Sequence, residues 1–529
     1  MSFRFATLVI LLLAFTLPAR AEYTLHVIHI NDLHSRIEPV SKYDSTCSAQ
    51  DDAAGKCFGG VARVASKIKA LRDQLKAEGK NVIVLDAGDQ FQGSLMYTTY
   101  KGAAEAEFME AIGFDAMAVG NHEFDDGPEA LAAFIDKVSF PVVSGNLDLQ
   151  RSNVLKDKVK DHIVLDVGGE KIGIVSALAA DTDETSSPGP TVGFEDEIES
   201  LRADVASLGA QGVNKIIALT HVGLRKDIAI GKAVEGLDAI VGGHSHSLLS
   251  NTHKRAAGPY PLMAGTTPVV QAYAYSKYVG VLKLTFDKNG RVVSAEGDTH
   301  LLDASVKPDP AIAQRIAELA GPIEELKAKV VGHSAEAITG ARDVCRRMEC
   351  AMGNLVADAM LERVKGQGVT IALQNSGGLR ASIDAGPITM GEVLTVLPFQ
   401  NTLSTFQITG AQIRAALENG VSQVEGVKGR FPQVAGLKFT WNSSVEPGQG
   451  RVKDVFVQEA GAWVPLDEAK VYGVVTNNYV RNGGDGYKMF ATDAANAYDY
   501  GPGIEEVVAE YLIKHGEYTP YVDGRITGK

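Results

Sequence analysis

Cysteine is scarce: the 529-residue chain contains four, too few for a disulfide framework to define the fold. Basic charge is also short. Lysine and arginine total 51 against 65 acidic residues, a formal net charge of −14. A phosphate backbone would repel such a chain, so it is not built to coat a nucleic acid polymer, although a local basic pocket for one small phosphate is compatible. After the N-terminal segment no run of about 18 or more apolar residues occurs, so no later membrane-spanning helix is expected. Internal repeats and low-complexity tracts are missing too. What is present is 45% hydrophobic and 22% charged residues, the balance of an ordinary folded protein. Disorder, collagen and coiled coil are thereby excluded as the main architecture. The length predicts two large domains or three ordinary ones.

Residues 1–21 read as an export signal. Arg4 supplies the positive region, Leu8 to Leu17 is almost wholly apolar, and Ala19-Arg20-Ala21 has the small-x-small form of a cleavage site. Cleavage after Ala21 would move the net charge from −14 to −16, because two arginines leave. No cysteine sits near that point, and Glu517 to Lys529 is polar, so no lipid anchor is expected at either end. The expected product is exported, periplasmic or secreted, with no stable membrane anchor.

From Glu22 to about Asp303, short apolar runs alternate with helical patterns, which predicts a layered α/β domain. Val61, Val64, Ile68, Leu71 and Leu75 recur at steps of three and four before Gly79, an amphipathic helix ended by a glycine. Strand-like runs lie at Leu25–Ile30, Val82–Leu85, Ala116–Val119, Ile172–Val175, Ile216–Leu219 and Ala239–Val241. The stretch 304–335 opens with Pro308 and Pro310 and continues as a polar helix from Ala311 to about Val331, read as a bridge between domains. A second α/β region, 336–529, follows.

The strand-like runs lead into polar clusters. Asn31-Asp32-Leu33-His34 follows the first, Asp86-Ala87-Gly88-Asp89 the second, and Gly120-Asn121-His122-Glu123-Phe124-Asp125 the third. Thr220-His221 and Gly242-Gly243-His244-Ser245-His246 follow two more. In an open α/β sheet, ligand sites gather at the carboxyl ends of strands, so these clusters should converge. Five of the 12 histidines fall within them. Mixed imidazole and carboxylate ligands suit zinc or manganese, and two such ions sharing one carboxylate form the arrangement of two-metal phosphatases.

In this order the clusters resemble the calcineurin-like metallophosphoesterase domain. The strings Asn31–Arg36 and Gly120–Asp125 resemble the 5′-nucleotidase family specifically, over essentially the whole mature chain. The resemblance implies an N-terminal layered α/β/β/α metallophosphoesterase domain (22–303), a bridging helix (304–335) and a C-terminal α/β substrate-binding domain (336–529). It implies two divalent metal ions, one held by Asp32, His34 and His246, the other by Asn121, His221 and His244, with Asp89 between them. His122 and Asp125 match the family's catalytic dyad. Nucleotidases of the family often carry an amide where His246 stands. The histidine is normal for the wider metallophosphoesterase group, and both zinc and manganese remain open.

The second region carries three further matches. Asn375-Ser376-Gly377-Gly378-Leu379-Arg380 resembles the family's Asn-Gly-Gly-Gly-Ile-Arg segment, with serine at one glycine position. Leu397-Pro398-Phe399 and Gly483-Gly484-Asp485-Gly486-Tyr487 match its Leu-Pro-Phe segment and its Gly-Gly-Asp-Gly-aromatic loop. By resemblance, Phe399 and Tyr479 sandwich a nucleobase, Asn375 meets a base edge, Asp485 accepts ribose hydroxyls, and Arg346 and Arg380 meet phosphate. The string Cys345-Arg346-Arg347-Met348-Glu349-Cys350 is also similar to the family's. An exported chain reaches an oxidising compartment, where the close pairs Cys47/Cys57 and Cys345/Cys350 are expected to oxidise.

The implied activity is hydrolysis of nucleoside 5′-monophosphates. Cleavage of UDP-sugars or NAD at the pyrophosphate, or of 2′,3′-cyclic nucleotides, is compatible with the same fold. A nucleotide-binding surface protein without activity is the non-enzyme alternative; the intact ligand set and dyad weigh against it. Monomer and homodimer both remain open.

Overall fold

The structure, a computed structural model, describes residues 22–40, 47, 49–397, 399–499 and 501–528. The expected export signal, residues 1–21, and Pro398 of the Leu-Pro-Phe segment lie outside the described residues.

Two six-stranded sheets build the first region. One runs, in spatial order, Val292–Leu301, Tyr278–Phe286, Tyr23–Ile30, Asn81–Asp86, Ala116–Ala118 and Val142–Val143. The other runs Leu262–Ala264, Thr267–Val270, Ala239–Gly242, Ile216–His221, Glu170–Leu178 and His162–Val167. Leu25, Val27, Ile83 and Leu85 of the first share one buried cluster with Ile172, Ile174, Ile217 and Leu219 of the second. Alternate residues of the first sheet, Ile28 and Val84, instead cluster with Val61, Val64 and Ile68 of the helix Val61–Ala77. Inner strands covered on both faces need apolar residues at every position, which is why they read as unbroken apolar runs. The expected α/β/β/α layering follows.

Strand direction then positions the site. Tyr23–Ile30, Asn81–Asp86 and Ala116–Ala118 run parallel, as do Glu170–Leu178, Ile216–His221 and Ala239–Gly242. Parallel strands end on one side, so their trailing clusters are neighbours.

The connecting helix spans Pro310–Lys327, shorter than expected, and its first turn is capped by Asp309, which accepts from the N–H groups of Ala311 and Ile312. Val330–Ser334, partly read as helix, is a strand paired with Gly386–Thr389. The β-branched pair Val330 and Val331 favours the extended form. In the second region a five-stranded sheet runs Pro432–Ala435, Val369–Asn375, Val471–Asn477, Leu403–Thr409 and Ala495–Tyr498. Its core gathers Ile371, Leu373, Phe406, Phe431 and Val474. Disulfides join Cys47 to Cys57 and Cys345 to Cys350, and no described cysteine is free. No described helix is long and apolar enough to cross a membrane.

Candidate metal centre and active site

The polar clusters do meet. Asp32, His34 and His246 offer ligand atoms within 4.8 Å of one another, and so do Asp89, His221 and His244. His34 Nε2 and His246 Nε2 stand 2.9 Å apart, with Asp32 Oδ1 3.2 Å from His246 Nε2. Asp89 Oδ2 lies 2.9 Å from His221 Nε2 and 3.7 Å from His34 Nε2, so it faces both groups. Asn121 Oδ1 is 2.8 Å from His244 Nδ1. All seven predicted ligands therefore surround one space.

The backbone is bent to bring them there. Asp32, His34, Asp89, His244 and His246 all have positive φ, between +48° and +76°. Non-glycine residues rarely adopt this region, and clusters of them mark functional sites held by their surroundings. The Asp32 carboxylate accepts from the His244 N–H at 3.0 Å and from Asn31 Nδ2 at 2.6 Å. His221 Nδ1 is 2.6 Å from the Ala87 carbonyl, so Nδ1 carries a proton and Nε2 is turned to the site.

A divalent ion pair fits this set. Asp89 Oδ2 and His221 Nε2 are buried and 2.9 Å apart, yet neither makes an aligned hydrogen bond. A buried carboxylate oxygen and an imidazole nitrogen this close together are a donor pair that a metal ion can take up, and the donors suit a borderline cation. Without an ion, burial, then the neighbouring His246, holds His34 well below the usual histidine range. Burial and the charge of His221 bring His244 down to about 3. Neutral imidazole is the ligating form. For His221 burial acts downward, but the Asp89 and Asp32 carboxylates outweigh it and push the group up to about 10.

Beside the ligands stands the predicted dyad. His122 Nδ1 is 2.6 Å from Asp125 Oδ2. Burial opposes charging of His122, but Asp125 and Asp89 raise it to about 9. Asp125 is itself oriented by Ser186 Oγ at 2.7 Å and Gln92 Nε2 at 3.3 Å. Neither partner is visible in a motif.

The recognition residues lie elsewhere. Arg346, Asn375, Arg380, Phe399, Tyr479 and Asp485 line a separate cavity of about 740 Å³. Asn375 Nδ2 donates to Asp485 Oδ2 at 2.7 Å, and the Tyr479 hydroxyl reaches Asp485 Oδ1 at 3.3 Å. The Arg380 guanidinium stacks over Phe399, 5.4 Å from its centroid. Leu248, Tyr273 and Lys277 of the first region form the opposite wall, and no predicted metal ligand does. The expected meeting of both arginines with a phosphate at the metals is thus not made in this domain arrangement. Tyr498, which no motif flagged, is a second-region residue that reaches the dyad and a ligand here: its ring stacks on His122 at 6.5 Å, and its hydroxyl accepts from Asn121 Nδ2 at 3.4 Å.

Residues 25–248 match the calcineurin-like phosphoesterase family model, and residues 330–492 match the 5′-nucleotidase C-terminal domain. The 5′-nucleotidase of Diplobatis ommata is 39% identical over 98% of this chain and 92% of its own length. The chain belongs to the 5′-nucleotidase family. The Homo sapiens 5′-nucleotidase is 37% identical over 98% of this chain and 94% of its own. Among solved structures, a 5′-nucleotidase precursor from Thermus thermophilus is 41% identical, covers 96% of this chain and 99% of its own, and superposes with a TM-score of 0.60. The Haemophilus influenzae NAD nucleotidase is 29% identical with the same coverage, but its TM-score is 0.80. Identity and overall superposition thus rank these two structures in opposite order.

Proposed function

We propose that the chain is an exported, two-metal hydrolase that releases phosphate from nucleoside 5′-monophosphates. The observation that carries this reading is the pairing of two half-sites in one chain: seven converging ligands with a His–Asp dyad, and a cavity lined by two aromatic rings, an amide and an acid. The first half alone fits any phosphoester. The second selects a base and a sugar.

Asp32, His34 and His246 would hold one ion, Asn121, His221 and His244 the other, with Asp89 shared. Zinc and manganese both suit these donors. Such an ion pair supplies Lewis-acid charge to the phosphoryl oxygens and a nucleophile at neutral pH. His122, charged and held by Asp125, would donate through Nε2 to the phosphoryl or leaving 5′-oxygen. Asp125 fixes the ring and favours its charged form. Phe399 and Tyr479 would stack the base from two sides, a contact that tolerates different bases. Asn375 would bond a base edge, Asp485 the ribose hydroxyls, and Arg346 and Arg380 the phosphate.

Because the recognition cavity excludes the metal ligands here, turnover requires rotation of one region against the other. The reading includes a division at 22–303, 304–335 and 336–529, and export through residues 1–21, which the two disulfides support.

The close overall superposition on an NAD nucleotidase favours a second reading, cleavage of a dinucleotide at its pyrophosphate. One experiment tests both: phosphate or nucleoside release from AMP, UMP, ADP, UDP-glucose, NAD and 2′,3′-cyclic AMP with manganese or zinc present. AMP or UMP should turn over fastest. Inactivity on every monophosphate would sink the primary reading, and activity on NAD alone would replace it.

A further inference from the structure

Glu123 lies within the Gly120–Asp125 string, is fully buried, and has so far been given no role. Its carboxylate is occupied by main chain. Oε2 accepts from the N–H groups of Gly120 at 2.7 Å and Asp89 at 3.0 Å. Oε1 accepts from those of Gln90 at 2.8 Å and Phe91 at 3.2 Å. Three of these donors belong to the loop after Asn81–Asp86, and the fourth to the loop after Ala116–Ala118. One side chain therefore ties two strand-end loops together.

The tied loop carries Asp89, whose φ of +58° is a conformation that must be held. Asp89 Oδ1 is in turn engaged by the His122 N–H at 2.9 Å, which leaves Oδ2 for His221 and His34. Gly120 makes the contact possible, since a Cβ there would stand 2.3 Å from Asp89 Oδ1 and 2.7 Å from Glu123 Oε2. Without the Glu123 carboxylate, four buried N–H groups lose their acceptor, and the loop has reason to relax.

We propose that Glu123 is a positioning residue that fixes the Asp89 carboxylate between the two ion sites. The proposal rests on the two-ion reading above. Glu123 touches no substrate and takes no ion; it acts only through the loop it anchors.

The decisive measurement is calorimetric titration of manganese into the metal-free full-length protein, with electron paramagnetic resonance of the loaded form. The parent should bind two ions and show an exchange-coupled pair. In Glu123→Gln an amide NH2 faces backbone donors. One of the two affinities should fall by about 10- to 100-fold, the range usual for partners that orient metal ligands, and the coupled signal should fall with it. A merely structural role would lower thermal stability and leave stoichiometry, affinity and coupling at parent values, which would overturn the proposal. Should the glutamine variant fail to fold, Glu123→Asp decides: it keeps both acceptor oxygens on a shorter stem, and unchanged affinities there refute the role. A parent that binds fewer than two ions refutes the two-ion reading and this proposal together. A two-ion parent with an unaffected variant refutes only Glu123.

Discussion

The metal-bearing face and the recognition face are built to different tolerances. Asp32, Asp89, Asn121 and His221 have no solvent exposure, and five ligands sit in left-handed backbone. Tyr479, by contrast, is 48% exposed, and Phe399 is half-buried. Metal coordination is short-ranged and directional, so its donors must be set by rigid neighbours before any ion arrives. A base presents two π faces and accepts a looser partner. One face should therefore fail steeply when altered, and the other by degrees.

The steep side is broken most directly at the dyad. His122→Ala should lower kcat for AMP by about 10²- to 10⁴-fold with KM changed less than about threefold, because a positioned acid contributes that much and binds no base. Steady-state kinetics with saturating metal checks it, and a fall under tenfold would remove His122 from the chemistry.

The graded side is sharpened by removing the stacking rings. Phe399→Ala and Tyr479→Ala should each raise KM by about 5- to 150-fold, the equivalent of about 1–3 kcal/mol of stacking, and leave metal stoichiometry at two. Tyr479→Phe keeps the face and loses only the hydroxyl, so its effect should be much smaller. Equal damage from Phe and Ala would show that the hydroxyl bond to Asp485, not the stack, carries the contact.

A smaller effect belongs to the disulfide beside Arg346. Replacing Cys345 and Cys350 by serine reopens a short loop, worth about 2–3 kcal/mol in the chain-entropy model. Thermal unfolding should move down by a few degrees, and KM should rise more than kcat falls. Loss of kcat instead would tie this loop to the metal face.

The two faces were also unequally legible. The ligands could be read because each lies at the end of one of five strands or within a few residues after it, and strand ends in parallel sheets converge by rule. Asp125 was legible beside His122 for the same reason. Ser186, Gln92 and Tyr498 were not. They reach the dyad across long stretches of chain, through packing that no local pattern records. Glu123 was in plain view inside a motif, but its four main-chain donors come from two loops and only the fold brings them together. The separation of the recognition cavity from the metals was illegible for a further reason: it depends on how two regions sit together, and motif order is the same in any arrangement. The helix reading that overran Lys327 failed locally, where a polar helical pattern runs into a valine pair that a neighbouring strand recruits.

The seam between the faces offers the mildest test, through pH. Glu505 opens the helix Ile504–His515 of the second region and is buried. Arg36, from the loop of the first metal motif, reaches across the seam to the Gln400 carbonyl at 3.4 Å and also acts on Glu505. Burial pushes Glu505 up to about 8, the neighbouring Glu506 adds to the rise, and Arg36 offsets part of it. A raised carboxyl keeps its proton in the folded chain while the unfolded chain has already lost it. Below about pH 4.5 both states are protonated, and the group contributes no pH dependence. Between about 4.5 and 8 the folded state binds more protons than the unfolded one, so stability falls as pH rises, and the full loss is present above about 8. Glu505→Gln keeps the shape and removes the titration. Its melting temperature should match the parent near pH 4.5 and exceed it by about 2 °C or more at pH 8, read by calorimetric scans across that range. A gain that is the same at both pH values would mean that packing, rather than the buried proton, distinguishes the two side chains at this seam.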